Sequence, residues 1–432
     1  MYMDMKKIGG KIADARKCHG YTQETLAEKL GMSPQAVSKW ETGAGLPEAS
    51  TLVELSALFG ISVDVLLQCG PRDTIGDFMT RNLAAPCEML LCNIPRISRW
   101  NPPEGCDMFY SAAAMLAAAL CAVEARERGS SDPVSYVDIN ARFRELLHLM
   151  GFGYTFLWED DRHVIEELWR INDYGDMARR VMRYYGRDFL WIDAGTASPD
   201  ELRRVLVWSV SHGNPVVMEW AGGIPEYSVV TGYKDGGDTL IGFTYCEECA
   251  ASTNEFGMFV NPARWGEVLD CRLLIIGDRC EATYTDRESI TFALEMLDKT
   301  GAVHKDYTKF KFTAGDAALH RWLDECDTPE HAAQLFGCRD MFSYALYMNT
   351  IYTQKQLLAD YKKLALMGNR AVNDAVVQIT IAVGILENDR NQLDELKTKP
   401  EEYLTAAQRH IGNILKYRQS LCGWLETIYE NL

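Results

Sequence analysis

Thr22-Gln23-Glu24-Thr25-Leu26-Ala27-Glu28-Lys29-Leu30-Gly31-Met32-Ser33-Pro34-Gln35-Ala36-Val37-Ser38-Lys39-Trp40-Glu41 decides the fold of the N-terminal part. Thr22 is a good N-cap, because its hydroxyl can accept a bond from an unpaired first-turn N–H. The run Gln23 to Leu30 then predicts a short helix. Gly31 suits the left-handed position just past a helix end. Ser33 caps a second helix, with Pro34 at the first position, where a missing N–H costs nothing. Val37 and Trp40 lie three apart, on its buried face. Ala27 is small where the two helices must cross closely.

The pattern extends to both sides. Upstream, Ile8, Ile12 and Ala15 keep helical spacing. Downstream, Pro47 breaks the chain, and Thr51 is expected to start a helix carrying Leu52, Leu55 and Phe59, followed by Ile61 and Leu66. Two short helices joined by a tight glycine turn are a helix-turn-helix. On Thr22-Gln23-x-x-Leu26-Ala27, Gly31-x-Ser33, Val37-Ser38-x-Trp40-Glu41-x-Gly43, Pro47 and Leu52, the stretch closely resembles the phage Cro/repressor-like, or xenobiotic-response-element, family of DNA-binding domains.

The resemblance implies that the helix Ser33 to Glu41 enters the major groove of double-stranded operator DNA. Gln35, Ser38 and Lys39 then face outward. Glutamine can pair with adenine through two hydrogen bonds, and lysine can reach guanine O6 or N7. Gln23 resembles the family's phosphate-contacting glutamine, at a helix end that favours an anion. Thr22 and Ser33 complete the expected DNA-binding set, while Trp40 and Glu41 read as structural. Such domains usually act as dimers on half-sites about one DNA turn (~34 Å) apart, so a homodimer is expected.

The chain has 432 residues, with 44 Lys+Arg against 61 Asp+Glu and a net charge of −17. Overall acidity argues against nucleic acid, but the charge is unevenly spread. Residues 1–68 carry seven basic and eight acidic side chains, and five of the seven basic ones fall in the first 17 positions. A local basic face is compatible with that count. With 47% hydrophobic and 24% charged residues, rods, collagen and wholesale disorder are excluded. The start carries no apolar signal core. The uncharged run Met108 to Val123 is shorter than the ~20 residues of a membrane span and rich in alanine. It reads as a buried helix, so no membrane association is expected. Thirteen scattered cysteines point to reduced thiols and a cytoplasmic location.

Gln68 to Asp73 opens an expected linker over residues 69–85. Two long helices are expected, near Met108–Arg126 and over Tyr136–Met150. Ser198 caps a third, which ends at His212-Gly213. Strands are expected at Pro215–Trp220, Tyr227–Tyr233, Thr239–Phe243 and Leu273–Ile276, with a hairpin turn at Lys234–Asp238. Helices followed by a meandering sheet indicate an α+β body over residues 86–281. From Asp286 the pattern reads as helical, including Ala345–Leu366, Ala371–Leu386 and Glu402–Glu430, which gives a helical domain over 282–432.

His212-Gly213-Asn214-Pro215-Val216-Val217 and Tyr227-Ser228-Val229-Val230-Thr231-Gly232-Tyr233-Lys234-Asp235-Gly236 resemble the papain-like fold of bacteriocin-leader-processing peptidases and the butirosin biosynthesis protein H family of acyltransferases. Ala314 to Leu323 resembles the helical half that follows in the latter. The resemblance implies a cysteine nucleophile heading a long helix and a histidine that activates it. The sequence departs from both. Glu226 stands where the peptidases place histidine, the nucleophile slot falls on Phe109 or Tyr110, and Cys106 lies a few residues early. A thiol without an imidazole stays largely protonated. A catalytically silent, papain-like sensor is therefore expected, with no catalytic residue and a small-molecule effector. Its candidate ligand-binding residues are Cys106, Tyr110, Trp158, Trp220, Glu226 and Tyr227. Glu226 among aromatics would suit a cationic or amine-bearing ligand. Two rivals stand beside this reading: a cysteine-dependent acyltransferase or peptidase fused to a DNA-binding domain, and a ligand-free dimerisation module. Cys246-Glu247-Glu248-Cys249 is a lone pair of cysteines where a zinc site needs four ligands. No phosphate-binding glycine motif occurs. Neither metal nor cofactor is expected.

Overall fold

The computed structural model describes residues 5–18, 21–59, 85–91, 94, 97, 111–129, 134–152, 154, 157–159, 164–166, 174–193, 195–219, 221, 227–244, 250–254, 257–265, 271–298, 301–303, 312–332, 368–396 and 398–432. The chain divides into two compact units, Met1–Asn82 and Leu83–Leu432. The expected linker lies outside the described residues except for Ala85, and the expected boundary at 281/282 falls inside the second unit.

The first unit is all helical: α1 (Met5–Cys18), α2 (Gln23–Lys29), α3 (Pro34–Glu41) and α4 (Ala49–Phe59). α4 starts two residues before the expected Thr51. Ile8, Ile12, Leu26, Ala27, Val37, Trp40, Leu55 and Phe59 close one small core. α1 and α3 approach so tightly that a Cβ on Gly9 would meet the Trp40 carbonyl oxygen at 2.2 Å, so only glycine fits there.

The second unit is built on two antiparallel sheets. Its elements are β1 (Met89–Leu90), α5 (Ser111–Glu127), α6 (Tyr136–Met150), β2 (Leu157–Glu159), β3 (Val164–Glu166), α7 (Tyr174–Tyr184), β4 (Arg187–Ile192), α8 (Pro199–Ser211), β5 (Val216–Glu219), β6 (Tyr227–Lys234), β7 (Thr239–Thr244), β8 (Phe259–Pro262), β9 (Leu273–Arg279), α9 (Asp286–Asp298), β10 (Gly301–Val303), β11 (Phe312–Ala314), α10 (Asp316–Glu325), α11 (Arg370–Leu396) and α12 (Pro400–Asn431). The larger sheet runs β4-β9-β5-β6-β7-β8, with β1 on the far half of β6. The smaller runs β10-β11-β2-β3.

The large sheet is covered on both faces. α5 packs on β5 and β6, and Val217, Tyr227, Val229, Ile241, Phe243, Leu274 and Ile276 join its core. The alternate residues Val216, Met218, Val230 and Ile275 are also buried, and α8 packs on β1, β5 and β6. A strand covered twice loses the in–out alternation, and β6 is accordingly buried at every position from Tyr227 to Tyr233. α5 is buried from Ala112 to Leu120, as its uncharged sequence predicts. No described helix is long and apolar enough to cross a membrane.

The expectation of a helical C-terminal region holds only in part. Residues 286–432 are not uniformly helical, because β10 and β11 lie among them. Phe312–Ala314 pairs with Leu157–Glu159, about 150 positions away. Its three-residue length left no local period to read. The helix expected over Ala345–Leu366 lies outside the described residues.

Buried polar groups tie the helices to this core. Arg418 on α12 is nearly sealed, donates to Asp316 Oδ1 at 2.7 Å and reaches the carbonyls of Tyr154 and Leu297. His148 on α6 lies 2.6 Å from the Tyr154 hydroxyl through Nδ1 and 3.1 Å from Ser289 Oγ through Nε2. Ser289 donates its own proton to the Asp286 carbonyl, so it accepts from Nε2–H, and Nδ1 accepts from Tyr154. That network is satisfied by a neutral imidazole protonated on Nε2. Burial holds the His148 pKa down to about 4. The unfolded side chain takes up a proton below its usual ~6.5, whereas the folded one does so only near 4. The stabilisation is therefore complete above 6.5 and is lost as pH falls, at about 1.4 kcal/mol per pH unit. In urea unfolding, wild-type stability should fall relative to His148→Gln by that slope between pH 6.5 and 4. Parallel pH profiles for the two proteins would contradict the buried neutral assignment.

Candidate nucleic-acid interface

Local chemistry sets the geometry of α2 and α3. Thr22 Oγ1 accepts from the Thr25 N–H at 3.2 Å, and Thr25 Oγ1 accepts from the Thr22 N–H at 2.7 Å, a reciprocal capping box. At the other end of α2, the Met32 N–H donates to the Ala27 carbonyl at 2.8 Å and the Gly31 N–H to the Glu28 carbonyl at 3.2 Å. This pair of bonds needs a left-handed residue between them, and Gly31 has φ +62°. Ser33 Oγ accepts from the Ala36 N–H at 3.2 Å, and Pro34 opens α3. Each sequence expectation for this turn holds.

The turn aims α3. Val37 and Trp40 are buried on one side, while Gln35 and Lys39 are exposed on the other and Ser38 is half-buried beside them. Thr22 and Ser33 are exposed at the N-terminal ends of the two helices. Their hydroxyls already act as caps, but Ser33 keeps its own proton to give to an oxygen acceptor.

Gln23 is held in place. Its Nε2 donates to Glu41 Oε2 at 2.7 Å. Glu41, the last residue of α3, also receives Arg16 from α1 through Nε–H to Oε1 at 2.5 Å and Nη2–H to Oε2 at 3.0 Å. Arg16 Nη1 donates to the Tyr21 carbonyl at 2.7 Å, in the turn before α2. One carboxylate thus links three helices, with the Arg16 and Glu41 side chains only 11% and 8% exposed. The bond to Glu41 raises the Arg16 pKa further above its ordinary value. Because a carboxylate only accepts, the Gln23 amide must turn its nitrogen inward. Its oxygen and remaining N–H are left for another partner. Sequence reading assigned Glu41 a structural role and missed that it orients Gln23. Arg16 and Glu41 stand 25 positions apart, beyond any helical spacing.

The candidate ligand residues are not gathered into one described site. Cys106, Tyr110, Trp220 and Glu226 lie outside the described residues, as does the Cys246/Cys249 pair. Trp158 is on the small sheet and 1% exposed; Tyr227 starts β6 on the large sheet, with its ring 5.0 Å from that of Tyr174. Burial pushes the described thiols Cys121 and Cys326 up to about 11 and Cys271 to about 12, which is opposite to the activation a nucleophile needs.

Removing the shared carboxylate tests the network. Glu41→Ala leaves the part-buried Arg16 unpaired, a loss of about 2–3 kcal/mol. Amide exchange in α1 and α3 of the full-length protein should accelerate roughly 30- to 150-fold, with the second unit unchanged. Unaltered protection would show that the three helices are held by their apolar core alone.

The helix-turn-helix family model matches residues 12–66. Over 61 residues the chain is 37% identical to an SPbeta prophage-derived HTH-type transcriptional regulator, YonR, of Bacillus subtilis, covering 14% of this chain and 56% of that protein. Over 72 residues it is 42% identical to the HTH-type transcriptional activator BcrR of Enterococcus faecalis, covering 17% and 35%. These matches span about half or less of those relatives' lengths. Over 64 residues it is 36% identical to the HTH-type transcriptional regulator YazB of Bacillus subtilis, covering 15% of this chain and 93% of that protein. Through these N-terminal residues, the chain belongs to the helix-turn-helix family of transcriptional regulators.

Proposed function

We propose that this protein is a DNA-binding transcriptional regulator whose second unit senses a small molecule. The observation that carries the first half is the arrangement of α2 and α3. A helix buried on one side offers Gln35 and Lys39 on the other, next to a glutamine whose amide is locked by Glu41. α3 lies in the major groove, with Gln35 and Lys39 at base edges and Ser38 beside them. Gln23, Thr22 and Ser33 bond phosphate oxygens and fix the register. Two copies read two half-sites about one turn (~34 Å) apart.

For the second unit we adopt a silent papain-like body over residues 86–281, packed with the helices of 282–432. Support comes from the long buried helix α5 set against the central strands of an antiparallel sheet. We assign the effector site to Cys106, Tyr110, Trp220, Glu226 and Tyr227, in which Glu226 among aromatics favours a cationic or amine-bearing ligand. The effector regulates by binding one arrangement of the protein more tightly than another, and DNA must then act on effector affinity by the same factor.

The test is direct. With an operator fragment in hand, Gln35→Ala combined with Lys39→Ala should reduce affinity to that of unrelated DNA. Lys39→Ala alone lowers the dependence of log K on log salt by about one if Lys39 touches phosphate. Undiminished affinity in both would remove α3 from recognition. In the same assay, amine-bearing compounds should change operator affinity in wild type and not in Glu226→Gln; an equal response in both would remove Glu226 from the effector site.

A further inference from the structure

α11 has two apolar faces, and among the described residues only one has a partner. Val372, Ala375, Val376, Ile379, Val383, Leu386 and Leu393 are buried in the core of the second unit, with α12 alongside. On the opposite face Val377, Ile381 and Ile385 are 43%, 53% and 48% exposed. Their spacing of four and four draws one stripe along the helix. Thr380 lies beside it, its hydroxyl spent on the Val376 carbonyl at 2.8 Å, so that its methyl remains as surface. The neighbouring α12 behaves otherwise, with Gln408, Arg409, Lys416 and Glu426 at exposed positions.

The stripe is costly for a solvent-facing helix surface. Val377, Thr380, Ile381 and Ile385 are β-branched and lose rotamer freedom in a helix. Gly384 sits on the same exposed face, and a Cβ there would meet nothing within 4 Å. Glycine inside a helix is unfavourable relative to alanine, and no neighbour among the described residues requires it. A second helix packed on this face would account for both features. Gly384 lets another backbone approach at the close end of the usual range, roughly 8–10 Å, and the branched side chains fill the seam.

We propose that this face of α11 pairs antiparallel with α11 of a second copy, about a two-fold axis at Ile381. This rests in part on the proposed function, since two DNA-reading heads require two chains. The pattern is self-complementary, as a two-fold contact must be. Ile381 meets Ile381, and Val377 meets Ile385. Asp374 falls opposite Asn388. Exposed Arg370 approaches the end of the helix that carries exposed Glu395. No charge lies among residues 377–385 to oppose pairing. A helix of 27 residues is about 40 Å long. One such pair covers on the order of 1,000 Å², the lower edge of specific interfaces, so the dimer should dissociate in the micromolar range.

Sedimentation velocity on the full-length protein tests this, over about 1 to 100 µM. Wild type should pass from monomer to dimer. Ile381→Glu and Ile381→Lys should each weaken association at least 30-fold, with unchanged circular dichroism, because the side chain is half exposed. An equimolar mixture of the two should recover dimer, since each charge then faces its opposite across the axis. Dimerisation of both variants at wild-type strength, or failure of the mixture to recover, overturns the seam. So does a wild type that stays monomeric at 100 µM. Salt-dependent DNA binding by the same samples reports separately on the heads, so loss of one reading leaves the other measurable.

Discussion

The Glu41 carboxylate is the contact on which the DNA-facing geometry depends. It lies at the end of α3, takes two bonds from Arg16 on α1 and a third from Gln23 at the start of α2. Apolar packing alone would let short helices slide, because α2 and α3 have only seven and eight residues and isolated helices of that length are unstable. The ionic link adds direction. It fixes the angle at which α3 leaves the core and the way the Gln23 amide faces. Gly9 imposes the matching steric limit, allowing α1 to touch the backbone of α3. Together they convert a small core into a surface with defined donors and acceptors.

The second unit is organised differently. Its large sheet is covered on both faces, and it uses buried polar clusters to pin helices that a featureless core would allow to shift. Arg418 reaches two backbone carbonyls and one carboxylate. Glu127, at the end of α5, bonds both Arg187 and Arg279 and is held down to a pKa of about 2, first by the Arg187 bond. Such clusters are weak sources of net stability but strongly specify one arrangement, because an alternative packing would strand a buried charge. In the proposed regulator, that leaves effector binding a small set of permitted rearrangements to select between.

What the sequence discloses follows the range of the interactions. The turn from Thr22 to Glu41 was legible residue by residue, since caps, a left-handed glycine and Pro34 act within four positions. The helices Tyr136–Met150 and Pro199–Ser211 and the strands β5, β6, β7 and β9 were legible for the same reason. The strands β2, β3, β10 and β11 were not, because three-residue segments become strands only by pairing across the chain. The Arg16–Glu41–Gln23 link was hidden likewise. Gln35 and Lys39 were picked out by the family resemblance together with helical phase, whereas the orientation of Gln23 needed a partner 18 positions away. Trp158 illustrates the converse: aromatic density in sequence marks a core as readily as a binding wall.

The most direct test of the central claim is selection of bound duplexes from a randomised DNA pool by the full-length protein, repeated with Gln35→Ala/Lys39→Ala. The account predicts that wild type enriches one sequence as paired half-sites about one helical turn apart, and that the variant enriches none. Enrichment of the same sequence by both proteins, or of no sequence by wild type, would contradict it.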